Sequence, residues 1–182
     1  MFQPNKFHQE NTERSLKASR KEKISSELLR RIEKAHADAG ISKGDGEGRD
    51  LREIDNKIAY DFAKETNTWI DNFDSLGERF TGGNEHTTVV DEGEQKIYKS
   101  NNLSNTISLN KFFEKIKLHN ELFPNTAYKF EGFAGVADMG KGRHYVEPVY
   151  SQDFIKDAKN ATPSEIAGYM KNRGFEWTFQ TY

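Results

Sequence analysis

Three groups of residues in this 182-residue chain have the types and settings that chemistry needs, and all lie between positions 80 and 115. Lys99 closes the strand-like run Gln95 to Lys99, where a cation fixed on a strand can meet negative charge that develops on oxygen. Strand alternation puts Lys99 on one face with Ile97 and Gln95, and Tyr98 on the other with Lys96. Each face carries one large apolar residue, so parity alone does not turn Lys99 inward. Glu114 lies fifteen positions further on, about a turn into a helical stretch, where its ordinary use is a surface pair with Lys111, Lys115 or Lys117. Gly82-Gly83-Asn84 forms a turn in which the amides of Gly83, Asn84 and Glu85 can cradle a phosphate. A plain hairpin turn accounts for the same residues.

Other chemistries are excluded or weak. With no cysteine there is no disulfide, thiolate nucleophile or cysteine-ligated zinc. His8, His36, His86, His119 and His144 show no ligand spacing. Asp45 and Glu47 alternate with glycines like the start of a calcium loop, but the ligand positions do not continue.

The elements that must position these residues read as an α+β chain. A strand ending near Phe80 turns at 81–84, Thr87 to Val90 follows, and Asp91-Glu92-Gly93-Glu94 turns it into Gln95 to Lys99. Leu109 to Leu122 is a helix, capped by Ser108 or Asn110 and stopped by Pro124. Tyr128 to Val136 and His144 to Tyr150 are strands joined by a glycine-containing turn. Upstream, Ser25 to Ala39 fits a helix, and Leu51, Ile54, Ile58, Phe62 and Trp69 mark a second, amphipathic one. Near the end, Thr162-Pro163-Ser164-Glu165 is a helix start, with Ile166, Tyr169 and Met170 expected to face inward. Phe175 to Tyr182 alternates like a strand.

The expected organisation is a mobile arm over 1–20, a helical region over 21–75 with a glycine-rich linker near 42–48, a small lobe over 76–150, and a connector with the start of a truncated second lobe over 151–182. Hydrophobic residues make up 34% and charged residues 31%, a soluble composition with no apolar run of membrane-spanning length. Net charge is −2, which argues against a general nucleic-acid binder; the basic segment from Lys17 to Lys23 reads as a solvated helix start. The absence of cysteine and of a secretory signal fits a cytoplasmic protein.

Strand, glycine turn, strand, turn, strand ending in lysine, helix, strand, strand is the element order of a protein-kinase small lobe. The runs FTGGNE, IYK (97–99), HNELFPNTAY (119–128) with Gly132-Phe133, and ATPSEI (161–166) resemble the kinase-like domain of polyvalent proteins, large multidomain proteins of bacterial mobile elements and phages. The resemblance covers about Leu76 to Phe175. It implies ATP, with magnesium, as the ligand. Lys99 would hold the α- and β-phosphates, Glu114 would hold Lys99, and the turn Gly82-Gly83-Asn84 would cover the phosphates in place of the usual G-x-G-x-x-G. The connector Glu147 to Ser151, including Glu147 and Val149, would read the adenine edge, with walls from Val89 and Phe133. A catalytic-loop aspartate and a metal-binding D-F-G are missing. Asp138-Met139-Gly140 precedes the connector and reads as a turn.

Two functions follow as expectations. In the first, the chain is an ATP-binding small lobe with the start of a second lobe, and residues beyond Tyr182 would complete phosphoryl transfer to a hydroxyl. In the second, it is a non-catalytic interaction module of kinase-like shape that binds a protein partner through its sheet and the helix from Leu51 to Trp69.

Overall fold

A computed structural model of the chain describes residues 25–39, 48–80, 84–106 and 108–176. Among the described residues, four α-helices and a five-stranded sheet make an α+β fold. Helix α1 covers 25–38 and α2 spans Gly48–Thr66. The strands are β1 (Glu78–Phe80), β2 (His86–Asp91), β3 (Lys96–Asn101), β4 (Lys129–Val136) and β5 (Tyr145–Asp153). Helix α3 (Leu109–Leu122) connects β3 to β4, and α4 (Pro163–Lys171) follows β5. The sheet order is β1-β2-β3-β5-β4 and every pair is antiparallel.

Short-range chemistry sets the helix limits. Ser108 caps α3 by accepting the Lys111 amide, and Thr162 with Glu165 forms a reciprocal capping box on α4. Helix α2 stops at Thr66, because Asn67 turns to φ 55°, a left-handed conformation that asparagine tolerates. Trp69 is therefore not on the helix, as its spacing suggested. It lies on an extended segment along β4, where the Phe133 amide donates to the Thr68 carbonyl (3.0 Å) and the Ile70 amide to the Phe133 carbonyl (2.7 Å). Gly132 makes this approach possible: at φ 149°, a Cβ there would stand 2.1 Å from the Thr68 oxygen. The segment covers the free edge of β4.

Helices α1, α2 and α3 share one core with the sheet. Leu28 and Ile32 of α1, Ala59, Phe62 and Ala63 of α2, Leu109, Phe112 and Phe113 of α3, and Phe130, Phe133, Val146 and Tyr150 of the sheet are buried in a single cluster. Each large side chain removed from water there contributes roughly 1.5–3 kcal/mol. The buried stripe of α2 also carries two polar residues, Asp55 and Asn56. At the other end, Ile166 and Tyr169 of α4 are 48% and 45% exposed, so the inward face expected there does not form a core. Tyr169 stacks on Phe123 at the end of α3 (centroids 6.2 Å apart), and Arg173, just after α4, donates to the Leu122 carbonyl (3.3 Å). No helix among the described residues is long and apolar enough to cross a membrane. The alternating run after Phe175 lies outside the described residues from 177 onward.

Candidate nucleotide site

Residues directly opposite one another in paired strands share a face. On the Lys99 face the register sets three rows side by side: His86 with Asn101, Thr88 with Lys99 and Tyr150, and Val90 with Ile97 and Gln152. Helix α3 packs on that same face, its Phe112 and Phe113 rings 5.4 and 6.2 Å from Tyr150. Lys99 is half-buried between these rows. Its ammonium donates to Gln152 Oε1 (2.8 Å) and lies 5.2 Å from the centre of the Tyr128 ring, a cation–π distance. Tyr150, behind it, is fully buried; burial pushes its hydroxyl well above the usual tyrosine value, and the oxygen finds no hydrogen-bond partner among the described residues.

His86 adds a second nitrogen group to this face. Asn101 Oδ1 accepts the Leu103 amide (2.7 Å), which leaves Asn101 Nδ2 to donate to His86 Nε2 (2.8 Å) and fixes a neutral ring protonated on Nδ1. Burial, then the neighbouring Lys99 charge, hold its pKa below the ordinary 6.5. The unfolded chain thus takes up the proton at higher pH than the folded one. Stability is full above about pH 6.5 and falls as pH is lowered through that value. Denaturation at pH 7.5 and 5.5 should show this loss in the wild type and a smaller one in His86→Gln.

The turn before β2 is pinned to the loop after β3: Asn102 donates its amide N–H to the Glu85 carbonyl (3.1 Å) and its side chain to the Asn84 carbonyl (2.9 Å). Asn84 is thus held beside the loop after β3, at the His86–Asn101 end of the Lys99 face. Gly82 and Gly83 lie outside the described residues.

A half-buried lysine on the third strand and a helix on its face, within a sheet of this order, fit the small lobe of a protein kinase. The family described as serine/threonine/tyrosine kinase found in polyvalent proteins matches residues 52–181. The chain belongs to that family. No curated protein and no solved structure matches it. The family match begins inside α2, in keeping with the core that α2 shares with the sheet.

Within this kinase fold several expected positions fall elsewhere. Glu114 does not meet Lys99. Its side chain is 65% exposed on the outer side of α3 and pairs with Lys111 Nζ at 2.7 Å. Glu147 and Val149 are not in a connector, because β5 continues to Asp153. Val149 is fully buried opposite Ser100 and Gly132, and Glu147 lies opposite Ala134. From Val149 to Ser151 the strand is paired on both edges, with β3 and with β4, which leaves little backbone there to read a purine. Gln152 and Asp153 pair with β3 alone, so the edge toward β4 is open from Gln152 onward. Glu147 instead faces the other side of the sheet, where it accepts the Ser100 hydroxyl; burial first, and then the Glu147 carboxylate, push the Tyr145 hydroxyl up to about 12. Ser151 donates to Glu131 (2.6 Å) on that same face. Val89 is buried there too, and Phe133 is sealed in the core, so Val90 and Ile97 replace them as the apolar residues beside Lys99.

Asp138-Met139-Gly140 is a turn: Asp138 Oδ1 accepts the Gly140 amide (2.7 Å) and Gly140 takes φ 80°. His119 lies on α3, with its ring beside Phe123 and Tyr128. Among the described residues no three acidic or histidine side chains group as metal ligands. Sequence reasoning missed His86, Val90, Tyr128 and Gln152. Parity could have placed Val90 and His86 together, but only the β3–β5 register brings in Gln152.

Proposed function

We propose that this chain is the ATP-binding small lobe of its kinase family, with Lys99 as the group that meets the nucleotide phosphates. The observation that carries the reading is Lys99 itself, half-buried on the α3 face of β3 with its ammonium oriented by Gln152. The half-buried pair Val90 and Ile97 offers an apolar surface for a purine one row away, and Asn84 lies toward the opposite end of the same face, beside the His86–Asn101 row. Magnesium would arrive with the triphosphate. Phosphoryl transfer to a hydroxyl also needs an aspartate base and a metal-holding aspartate in motifs that these 182 residues do not contain, so this chain by itself binds without turning over. Its lack of cysteine fits a reducing, cytoplasmic setting, and the family description fits a polyvalent protein of a phage or other bacterial mobile element.

The test is an amide NMR titration with magnesium and ATP, run beside Lys99→Ala. Shifts should concentrate at Asn84 to His86, Ile97 to Lys99 and the residues from Gln152 onward. Loss of one charge-assisted contact should weaken binding about tenfold or more. An unshifted spectrum from folded wild-type protein would remove ATP from the account.

A second reading, a non-catalytic interaction module, is favoured by the exposed apolar residues Ile155, Ile166 and Tyr169 after β5. They offer a surface for a protein partner or for a second lobe. In that case Lys99→Ala would leave partner binding unchanged.

A further inference from the structure

Lys99 has a partner in this structure, and it is not the helix glutamate. Gln152 accepts from the Lys99 ammonium through Oε1 (2.8 Å) and donates through Nε2 to the Thr126 carbonyl (2.5 Å). Both ends of the amide are thereby engaged, so it cannot flip without losing both bonds. Tyr128, whose ring lies beside the same ammonium, is fixed in turn by Asn120 of α3: Asn120 accepts the Tyr128 amide (2.8 Å) and donates to its carbonyl (2.9 Å). The segment between α3 and β4 thus reaches Lys99 twice, through Thr126 and Gln152 and through Tyr128. Glu114 takes no part, being bound to Lys111 in solvent.

We propose that Gln152 is the positioning residue for Lys99, in the role that a helix-borne carboxylate fills elsewhere among protein kinases. The proposal rests on the nucleotide-binding reading above. Its chemical consequence is distinct. A neutral amide oxygen orients the ammonium without offsetting its charge, so the full positive charge and two remaining N–H groups face the phosphates. The control that α3 would exert through Glu114 passes instead through the α3–β4 segment.

The experiment compares Gln152→Ala, Gln152→Glu and Glu114→Ala with the wild type by two readouts. One is the Lys99 side-chain Cε–Hε signal in protein labelled at lysine, assigned by its disappearance in Lys99→Ala. The other is affinity for magnesium-ATP. Gln152→Ala should move the Lys99 signal and weaken ATP about tenfold, while the remainder of its amide spectrum stays as in wild type. Glu114→Ala should change affinity by less than about twofold, as expected of an exposed pair. Gln152→Glu keeps an acceptor for Lys99 but loses the donor to the Thr126 carbonyl, so it should hold the Lys99 signal closer to wild type than Gln152→Ala does and restore the affinity only in part. A Lys99 signal that responds to Glu114→Ala and ignores Gln152→Ala would overturn the proposal. If wild-type protein does not bind ATP, the nucleotide reading fails, and the Lys99 signal still decides whether Gln152 positions it.

Discussion

Replacing Asp55 with alanine should lower the unfolding free energy by about 3–5 kcal/mol, because two buried or mostly buried donors each lose their acceptor. Asp55 is 2% exposed, and each of its oxygens has a separate task. Oδ2 accepts the Leu109 amide (2.8 Å) at the first turn of α3, and Oδ1 meets His36 Nε2 of α1 at 2.7 Å. One carboxylate on α2 therefore ties three helices together. It satisfies an α3 amide that Ser108 cannot reach while capping Lys111. Burial pushes the Asp55 carboxyl above its ordinary value, while the Leu109 amide and His36 pull it down. The alanine leaves a buried N–H and a mostly buried imidazole with no acceptor. Chemical denaturation measures the loss, and amide exchange should speed up first at Leu109 and Asn110. Asparagine keeps the volume and an acceptor, so Asp55→Asn should cost only about 1–2 kcal/mol. A cost for Asp55→Ala within experimental error of zero would mean that α3 is seated by its apolar face alone.

Phe133→Ala should cost a similar amount, about 3–5 kcal/mol, as full truncation of a buried phenylalanine does. Phe133 has no exposed surface and lies edge-on to Phe130 at 5.1 Å, while its backbone holds the Thr68 to Ile70 segment against β4. The cavity would open beneath that segment. Trp69, bridged to Phe133 and packed edge-on against Tyr60 at 5.0 Å, should report the change by a red-shifted fluorescence. Phe133→Leu retains most of the volume and should cost less than about 1.5 kcal/mol. Equal costs for the two variants would show that the aromatic contacts, and not the volume, hold the segment down.

Much of the fold was legible because its signals are local. Ser108, Pro124 and the Thr162–Glu165 box mark helix ends through bonds within a few residues, and all of them act where the sequence places them. The five strands follow from β-branched and aromatic runs between turn residues. Their ends were less legible: β5 runs three residues past Tyr150 to Asp153, because Ile97 and Lys96 of β3 continue to pair with it. That extension moved Glu147 and Val149 out of a connector and into the sheet. The inward face of α4 was misread for the opposite reason. Amphipathic spacing states that a face can be buried, not that anything covers it.

The sequence by itself determined the family, the order of elements and Lys99 as the residue to watch, since motif and periodicity are properties of neighbours along the chain. Only the tertiary structure decided what Lys99 touches. Its partner is 53 residues away across the sheet, and the pairing of β3 with β5 that brings Gln152 beside it depends on register, which no local pattern fixes. The same holds for Asp55. A carboxylate amid charged residues on α2 reads as solvated surface until α1 and α3 close over it and make it the capping group of a helix 54 residues on.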